Sequence, residues 1–273
     1  MIRARTWWAL PALAVAMVLL YLPLAAVAHR SVNAATARQS DAWQGFTLRW
    51  YADMLAREDI RAAALNSLII GVLSTLLATV LGTMLAVALA RTRLPRWLRP
   101  LPDGVLAIPV VTPDIVIGVA LVMAYGVYRQ WTPMIDAGLT GLIIAHAAFQ
   151  VAFVTLVVRS RMQLIGPEQF EAARDLYAST TALWLRVILP QLLPGIVAGA
   201  LLAFILSLDD FMISFFVATP ESMTLPVVIY GQMRMGLSPT IHALSTAVTL
   251  TTISLVIAVV LLRGRRPTTR SLP

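Results

Sequence analysis

The 273-residue chain is 59% hydrophobic and only 12% charged, with a mean hydropathy of +0.81 and a formal net charge of +8, far from the balance of a water-soluble domain. It has no cysteine, which excludes disulfide frameworks, thiolate metal sites and cysteine nucleophiles. All 21 basic residues are arginine, so neither the lysine of a phosphate-cradling P-loop nor the amine of a Schiff-base enzyme is available.

A hydrocarbon core about 30 Å thick takes about 20 apolar residues per helical crossing, and a chain of this length holds about six. The first apolar run, Trp8 to Ala28, is longer than a signal-peptide core and reads as a retained span. From His29 to Arg61 the chain turns polar, an extramembrane segment in which Trp43, Phe46, Trp50 and Tyr51 suit a headgroup-level belt. A second span is expected over Ala64 to Ala90, ending at Arg91, Arg93, Arg96 and Arg99. The third runs over Gly104 to Gly126, interrupted by Pro109 and Pro113, and the fourth over Leu139 to Val158, ending at Arg159 and Arg161. After a polar stretch from Ser160 to Pro190 come a fifth span over Leu192 to Phe216 and a sixth over Ile241 to Leu262.

Fourteen arginines fall in the N-terminus, the 91–99 loop, the 159–190 stretch and the C-terminal tail, against seven on the opposite side. The positive-inside rule places the first group, with both termini, in the cytoplasm. Topology thus accounts for the basic balance without nucleic acid. The fold expected is all-α, a polytopic bundle of about six transmembrane helices forming one domain over residues 1–273 in a bacterial inner membrane.

The long polar stretch contains two helix-like pieces. Pro167 begins one, with Glu168 and Glu171 near the positive end of its dipole. Ser179, Thr180 and Thr181 offer caps for a second, which should end or kink near Pro190 and Pro194. Two short helices beside the membrane make a docking surface.

Glu171-Ala172-Ala173, followed after a gap by Leu189-Pro190, resembles the EAA loop of ABC importer permeases. In that pattern Val187 stands at an isoleucine position and Tyr177 at the glycine between the two loop helices. If that position takes positive φ, a tyrosine there is strained. The likeness extends through Asn66-Ser67-Leu68, Pro113-Asp114-Ile115-Val116, LSLDDFMISFF and TLPVVIYGQMRMGLSPTIHAL, which are similar to the second permease of spermidine/putrescine importers. The resemblance implies the ABC importer permease fold, with the 160–190 loop coupling the chain to ATPase subunits. It implies two ATP-binding subunits, a second and different permease, an extracytoplasmic solute-binding protein and a polyamine solute. ATP and Mg would be used by the partners, and no cofactor is bound by this chain.

Acidic residues inside spans are costly unless they face protein or water. Asp114 lies about ten residues into its span, hence about 15 Å from the cytoplasmic edge and near the midplane. It reads either as a pathway residue for a cationic solute or as a cap on the helix restarting after Pro113. Asp209 and Asp210, about 100° apart on a helix, lie towards the far end of the fifth span. Either one faces a pathway for a cationic solute while the other pairs with a neighbour, or the two form an interfacial structural pair with no substrate contact. His29, His146 and His242 show no metal-ligand spacing and read as satisfied interhelical hydrogen bonds, so no metal site is expected. Gly195 and Gly199 allow close helix approach, to a partner permease or within the subunit. Tyr230 and Trp131 suit interfacial anchoring or amine stacking. Permeases for other small organic solutes share much of this pattern. An ion-coupled transporter using Asp114 and Asp209 would have no reason to carry the EAA-like loop; a non-transporting membrane module, with these acids only structural, is the other alternative.

Overall fold

Backbone polar groups in hydrocarbon must pair within their own segment, which favours helices in every span. The computed structural model describes residues 9–36, 42–92, 95–128, 138–234, 236 and 238–264. Among these the chain is helical apart from turns and one isolated bridge between Asn33 and Phe46. The helices are α1 (Ala9–Ser31), α2 (Arg49–Ala56), α3 (Glu58–Arg91), α4 (Pro100–Val111), α5 (Asp114–Tyr128) and α6 (Leu139–Met162). They continue as α7 (Pro167–Asp175), α8 (Thr180–Asp209), α9 (Met212–Val217), α10 (Leu225–Arg234) and α11 (Pro239–Gly264). Arg3, Arg5, Arg93, Trp131 and the tail beyond Gly264 lie outside the described residues.

Four helices, Leu10–Ser31, Glu58–Arg91, Leu139–Met162 and Thr180–Asp209, are long and apolar enough to cross a membrane. The third expected span is not straight: α4 and α5 meet at Thr112-Pro113 with a bend of 104°. Proline cannot donate at the restart and disfavours helical backbone at Thr112, whose ψ of 131° is extended. The straight-helix reckoning of the depth of Asp114 therefore fails. The fifth span also differs. It runs unbroken from Thr180, not Leu192, and stops at Asp209, not Phe216. Instead of ending at Pro190 the helix widens to π geometry over Leu183–Ile188, where the Leu189 N–H reaches back to the Trp184 carbonyl. This local rewinding carries the helix past the missing proline donor. Ser179 caps its start as expected, accepting from the Ala182 N–H at 3.2 Å.

The chain forms two compact units, one of residues up to Ile60 and from Ile229, the other of Arg61–Val228. In the first, α1 and α2 each pack on α11. Trp50 is buried, its indole N–H donating to the Asn33 carbonyl at 2.7 Å, while Trp43 and Phe46 stay exposed. Trp50 is thus an anchor of the fold, and the belt reading fits only its exposed neighbours. Arg57 pairs with Asp59 and donates to Gln232 Oε1 at 2.9 Å.

In the second unit α6 packs between α3 and α8. Apolar burial alone does little in lipid, so contact depends on small residues that admit close approach. Ala78, Gly82 and Ala86 recur every four residues along α3, and a Cβ on Gly82 would stand 2.8 Å from Val154 Cβ and 3.0 Å from the Val151 carbonyl oxygen. From the other side a Cβ on Gly199 would lie 3.3 Å from Val154 Cγ1, and one on Gly195 only 2.6 Å from Arg161 Cβ. The glycine pair of α8 therefore packs within the subunit. Gly82→Ala should push α3 from α6 and cost about 1–3 kcal/mol. Gly126→Ala, whose Cβ meets nothing within 4 Å, should be neutral or mildly stabilising. Thermal unfolding of the two variants in detergent checks the difference.

Candidate functional site

The α6–α8 connection is built on a small apolar platform. After α6 the chain turns through Ile165 into Gly166, extended at ψ 155°, and Pro167 starts α7 at the position where a missing N–H costs nothing. Met162, Ile165, Ala173, Leu183, Ile188 and Leu192 form a buried cluster, with Phe170 and Val187 packed against it. Ala173, the second alanine of the EAA motif, is the buried contact of α7 with this platform, and Phe170 of the same helix packs beside it. The small alanine side chain lets the helix lie flat.

The outward face is the reverse. Glu168, Glu171, Ala172, Arg174 and Asp175 are exposed. Around them stand large apolar side chains with no cover: Leu164 at 71%, Leu176 at 81% and Tyr177 at 97% exposure. Tyr177 has φ 56°, and no other non-glycine residue among those described has positive φ. The Tyr177 N–H donates to the Arg174 carbonyl at 2.8 Å and the Ala178 N–H to the Ala173 carbonyl at 3.0 Å. These two bonds are the Schellman closure of a helix, whose left-handed residue is usually glycine. Tyrosine therefore sits in the conformation for which the loop pattern reserves glycine. Behind the loop, Arg91 lies over the Trp184 ring at 4.9 Å, and Arg161 Nε donates to the Gln191 carbonyl at 3.0 Å. Leu189 and Pro190 are exposed residues of the continuous α8.

At the other end of α8 the chain breaks at Asp210 and Phe211. Asp210 turns inward and accepts from the backbone N–H groups of Ile213 and Ser214 at 3.2 and 2.9 Å, closing the start of α9. Its carboxylate lies 3.4 Å from His146 Nε2, which is also 3.2 Å from Ser214 Oγ. His146 Nδ1 is 2.8 Å from Ser207 Oγ. The ring thus bridges the two sides of the break, with Nε2–H directed at the carboxylate and Nδ1 paired with the Ser207 hydroxyl. The interhelical reading of His146 holds, and one carboxylate of the Asp209-Asp210 pair is taken up internally. Asp209 and Asp114 are exposed. Asp114 opens α5, and the site brings neither of them to His146. Asn66 donates to the carbonyls of Glu221 and Met223 at 3.0 and 3.1 Å, and Ser67 Oγ accepts from the Leu225 N–H at 2.9 Å. That clamp gives the N-S-L segment its physical role.

Residues 78–266 match the family of binding-protein-dependent transport system inner membrane components. The chain belongs to this family. As a member it is the permease subunit of an ABC importer, a membrane-spanning transport component. The permease is 34% identical over 239 residues to the spermidine/putrescine transport system permease protein PotC of Escherichia coli (strain K12), covering 88% of this chain and 87% of PotC. It is 32% identical over 247 residues to the putrescine transport system permease protein PotI of the same organism, covering 89% and 86%. Among solved structures it is similar to a bacterial ABC transporter involved in the import of the acidic polysaccharide alginate. There the TM-score is 0.70 at 15% identity, over 98% of this chain and 100% of that one. The same score, at 16% identity, relates it to a bacterial alginate ABC transporter in complex with a pentasaccharide-bound periplasmic protein, over 97% and 96% of the chains. These two likenesses bear on the fold alone.

Sequence reasoning missed a buried polar set. Gln150 is fully buried with both amide atoms unpaired, and the hydroxyls of Thr75, Thr79 and Thr83 are buried without partners among the described residues. The threonine spacing of four along an apolar span was the available signal, since it puts all three on one face. For the loop, Tyr177→Gly should relieve the left-handed strain, worth about 1–2 kcal/mol, less the entropy gained by the unfolded chain. The purified permease should unfold at the same or a slightly higher temperature, whereas Tyr177→Val should lower it.

Proposed function

We propose that this permease carries a polyamine, spermidine or putrescine, inward across the membrane, driven by ATP hydrolysed on other subunits. The observation that carries the reading is the identity to PotC over 88% of the chain, joined by that to PotI. In this reading the termini and the α7 loop face the cytoplasm, and both compact units act as one permease domain. The subunit pairs with a second, different permease, receives solute from an extracytoplasmic binding protein and is served by two ATP-binding subunits. It binds no cofactor or metal of its own.

The exposed face of α7 supports docking. Glu168, Glu171, Arg174 and Asp175 supply charges at the rim, and Leu164, Leu176 and Tyr177 supply apolar contact, the division of labour found in protein interfaces. The platform under Ala173 ties α7 to α8, so a shift of the docked partner is carried into a span. Coupling then rests on different affinities of the loop for the two ATPase states. Glu171, Ala172, Ala173, Tyr177, Leu189 and Pro190 form the coupling segment. Asp114 and Asp209 offer exposed carboxylates to the amines of the solute, and Asp210 shapes the break next to Asp209.

The test is ATP hydrolysis by the reconstituted complex of both permeases, ATP-binding subunits and binding protein. Binding protein loaded with spermidine or putrescine should stimulate hydrolysis several-fold over empty binding protein, and Glu171→Ala should abolish the stimulation. Stimulation by a different solute only would overturn the polyamine assignment. Full stimulation in Glu171→Ala would overturn the role of the loop.

A further inference from the structure

Where α3 ends and α4 begins, the second unit carries a groove of about 310 Å³ that plays no part in coupling as described. It is lined by Leu85 and Leu89 of α3, by Leu98, and by Leu101, Val105 and Leu106 of α4. Residues four apart on each helix make two facing apolar stripes, and no polar side chain interrupts them. The end of the groove at Leu98 is a tight turn, closed by the Leu98 N–H on the Pro95 carbonyl at 3.0 Å and the Leu101 N–H on the Leu98 carbonyl at 3.2 Å. From Arg91 to Pro102 the sequence holds four arginines and no acid. Arg96 and Arg99 are exposed in the turn itself, on either side of Leu98, and Trp97 between them is 74% exposed. The next acid along the chain, Asp103, is already paired with Arg159. Arg91, two residues beyond Leu89, adds its charge from over the Trp184 ring.

We propose that this groove binds an anionic phospholipid of the phosphatidylglycerol type. One acyl chain lies between α3 and α4, the phosphate sits on Arg96 with Arg91 and Arg99 adding to the field, and Trp97 lies at headgroup level. A wholly apolar trough with cationic charge at one end matches an amphiphile with one anionic head. A protein segment would expose its own backbone polar groups to walls that cannot pair them. Basic clusters beside membrane-embedded helices attract anionic headgroups, each arginine contributing about fivefold in affinity. The inference depends neither on which solute is carried nor on which side of the membrane the turn faces.

Native mass spectrometry of the purified full-length permease, released from mixed phosphatidylglycerol and phosphatidylcholine, tests this. The wild type should retain phosphatidylglycerol in preference by about fivefold or more. Arg96→Gln should lose about fivefold of that preference while leaving phosphatidylcholine retention unchanged. Leu101→Trp, which fills the trough, should reduce retention of both lipids. Circular dichroism of each variant confirms the fold, and Arg61→Gln, exposed at the opposite end of α3, serves as the control that should match the wild type. Equal retention of the two lipids by the wild type, or an unchanged preference in Arg96→Gln, would overturn the proposal. So would a groove that holds no lipid but becomes protected from labelling when other subunits assemble, which would assign it to a protein partner.

Discussion

Val154 touches two neighbouring helices at once, α3 at Gly82 and α8 at Gly199, and the second unit is organised around that contact. In hydrocarbon a leucine or valine gains little by leaving lipid for protein, so helix association depends on van der Waals fit and on hydrogen bonds that lipid cannot offer. Both are present here. Thr155, next along α6, donates to the Val151 carbonyl at 2.6 Å and lies 3.2 Å from the Gly82 carbonyl. Two turns on, Arg161 lies against Gly195 and donates to the backbone of α8. Two turns back, His146 reaches the break beyond Asp209. One helix thus holds the α7 loop at one end and the broken span at the other.

The irregular points of the backbone each carry their own satisfaction, which is the condition for interrupting a helix at membrane depth. Asp210 closes α9 with two amides, and the Asn66 and Ser67 side chains close the turn ahead of α10. The π segment lets α8 pass Pro190, and the Schellman bonds finish α7 although the residue required at positive φ is a tyrosine. Strain of that kind persists where the surroundings over-determine the backbone and is common at functional positions. At Tyr177 it holds an aromatic ring in full exposure beside Leu176, on the face proposed to meet a partner.

Much of this was legible before any coordinates. Apolar run lengths placed the spans, because hydrocarbon thickness sets a helix length that composition alone reveals. The EAA motif located α7, and the αL suspicion at Tyr177 followed from a glycine position occupied by a side chain. Reading failed where local pattern competes with tertiary context. Near prolines 190 and 194 the helix was expected to end or kink, but a π turn absorbs the first and the helix continues through the second. The Asp209-Asp210 pair read as helical residues towards the far end of a span reaching Phe216, yet Asp210 caps α9 and the span ends at Asp209. Trp50 looked interfacial because indole favours that zone, while a carbonyl within reach of its N–H draws it inside. The bend at Pro113 was marked by its proline, but its angle of 104° has no signature in sequence.

The central claim is that α7 is the element through which ATPase movement enters the membrane. The absence of native cysteine makes a direct test simple: a single Leu176→Cys substitution, followed by maleimide labelling of the permease alone, in the assembled complex, and in that complex with and without nucleotide. The account predicts rapid labelling of the isolated permease, where Leu176 is 81% exposed, strong protection on assembly and a nucleotide-dependent change in that protection. Labelling at the isolated rate in a complex that hydrolyses ATP would contradict it.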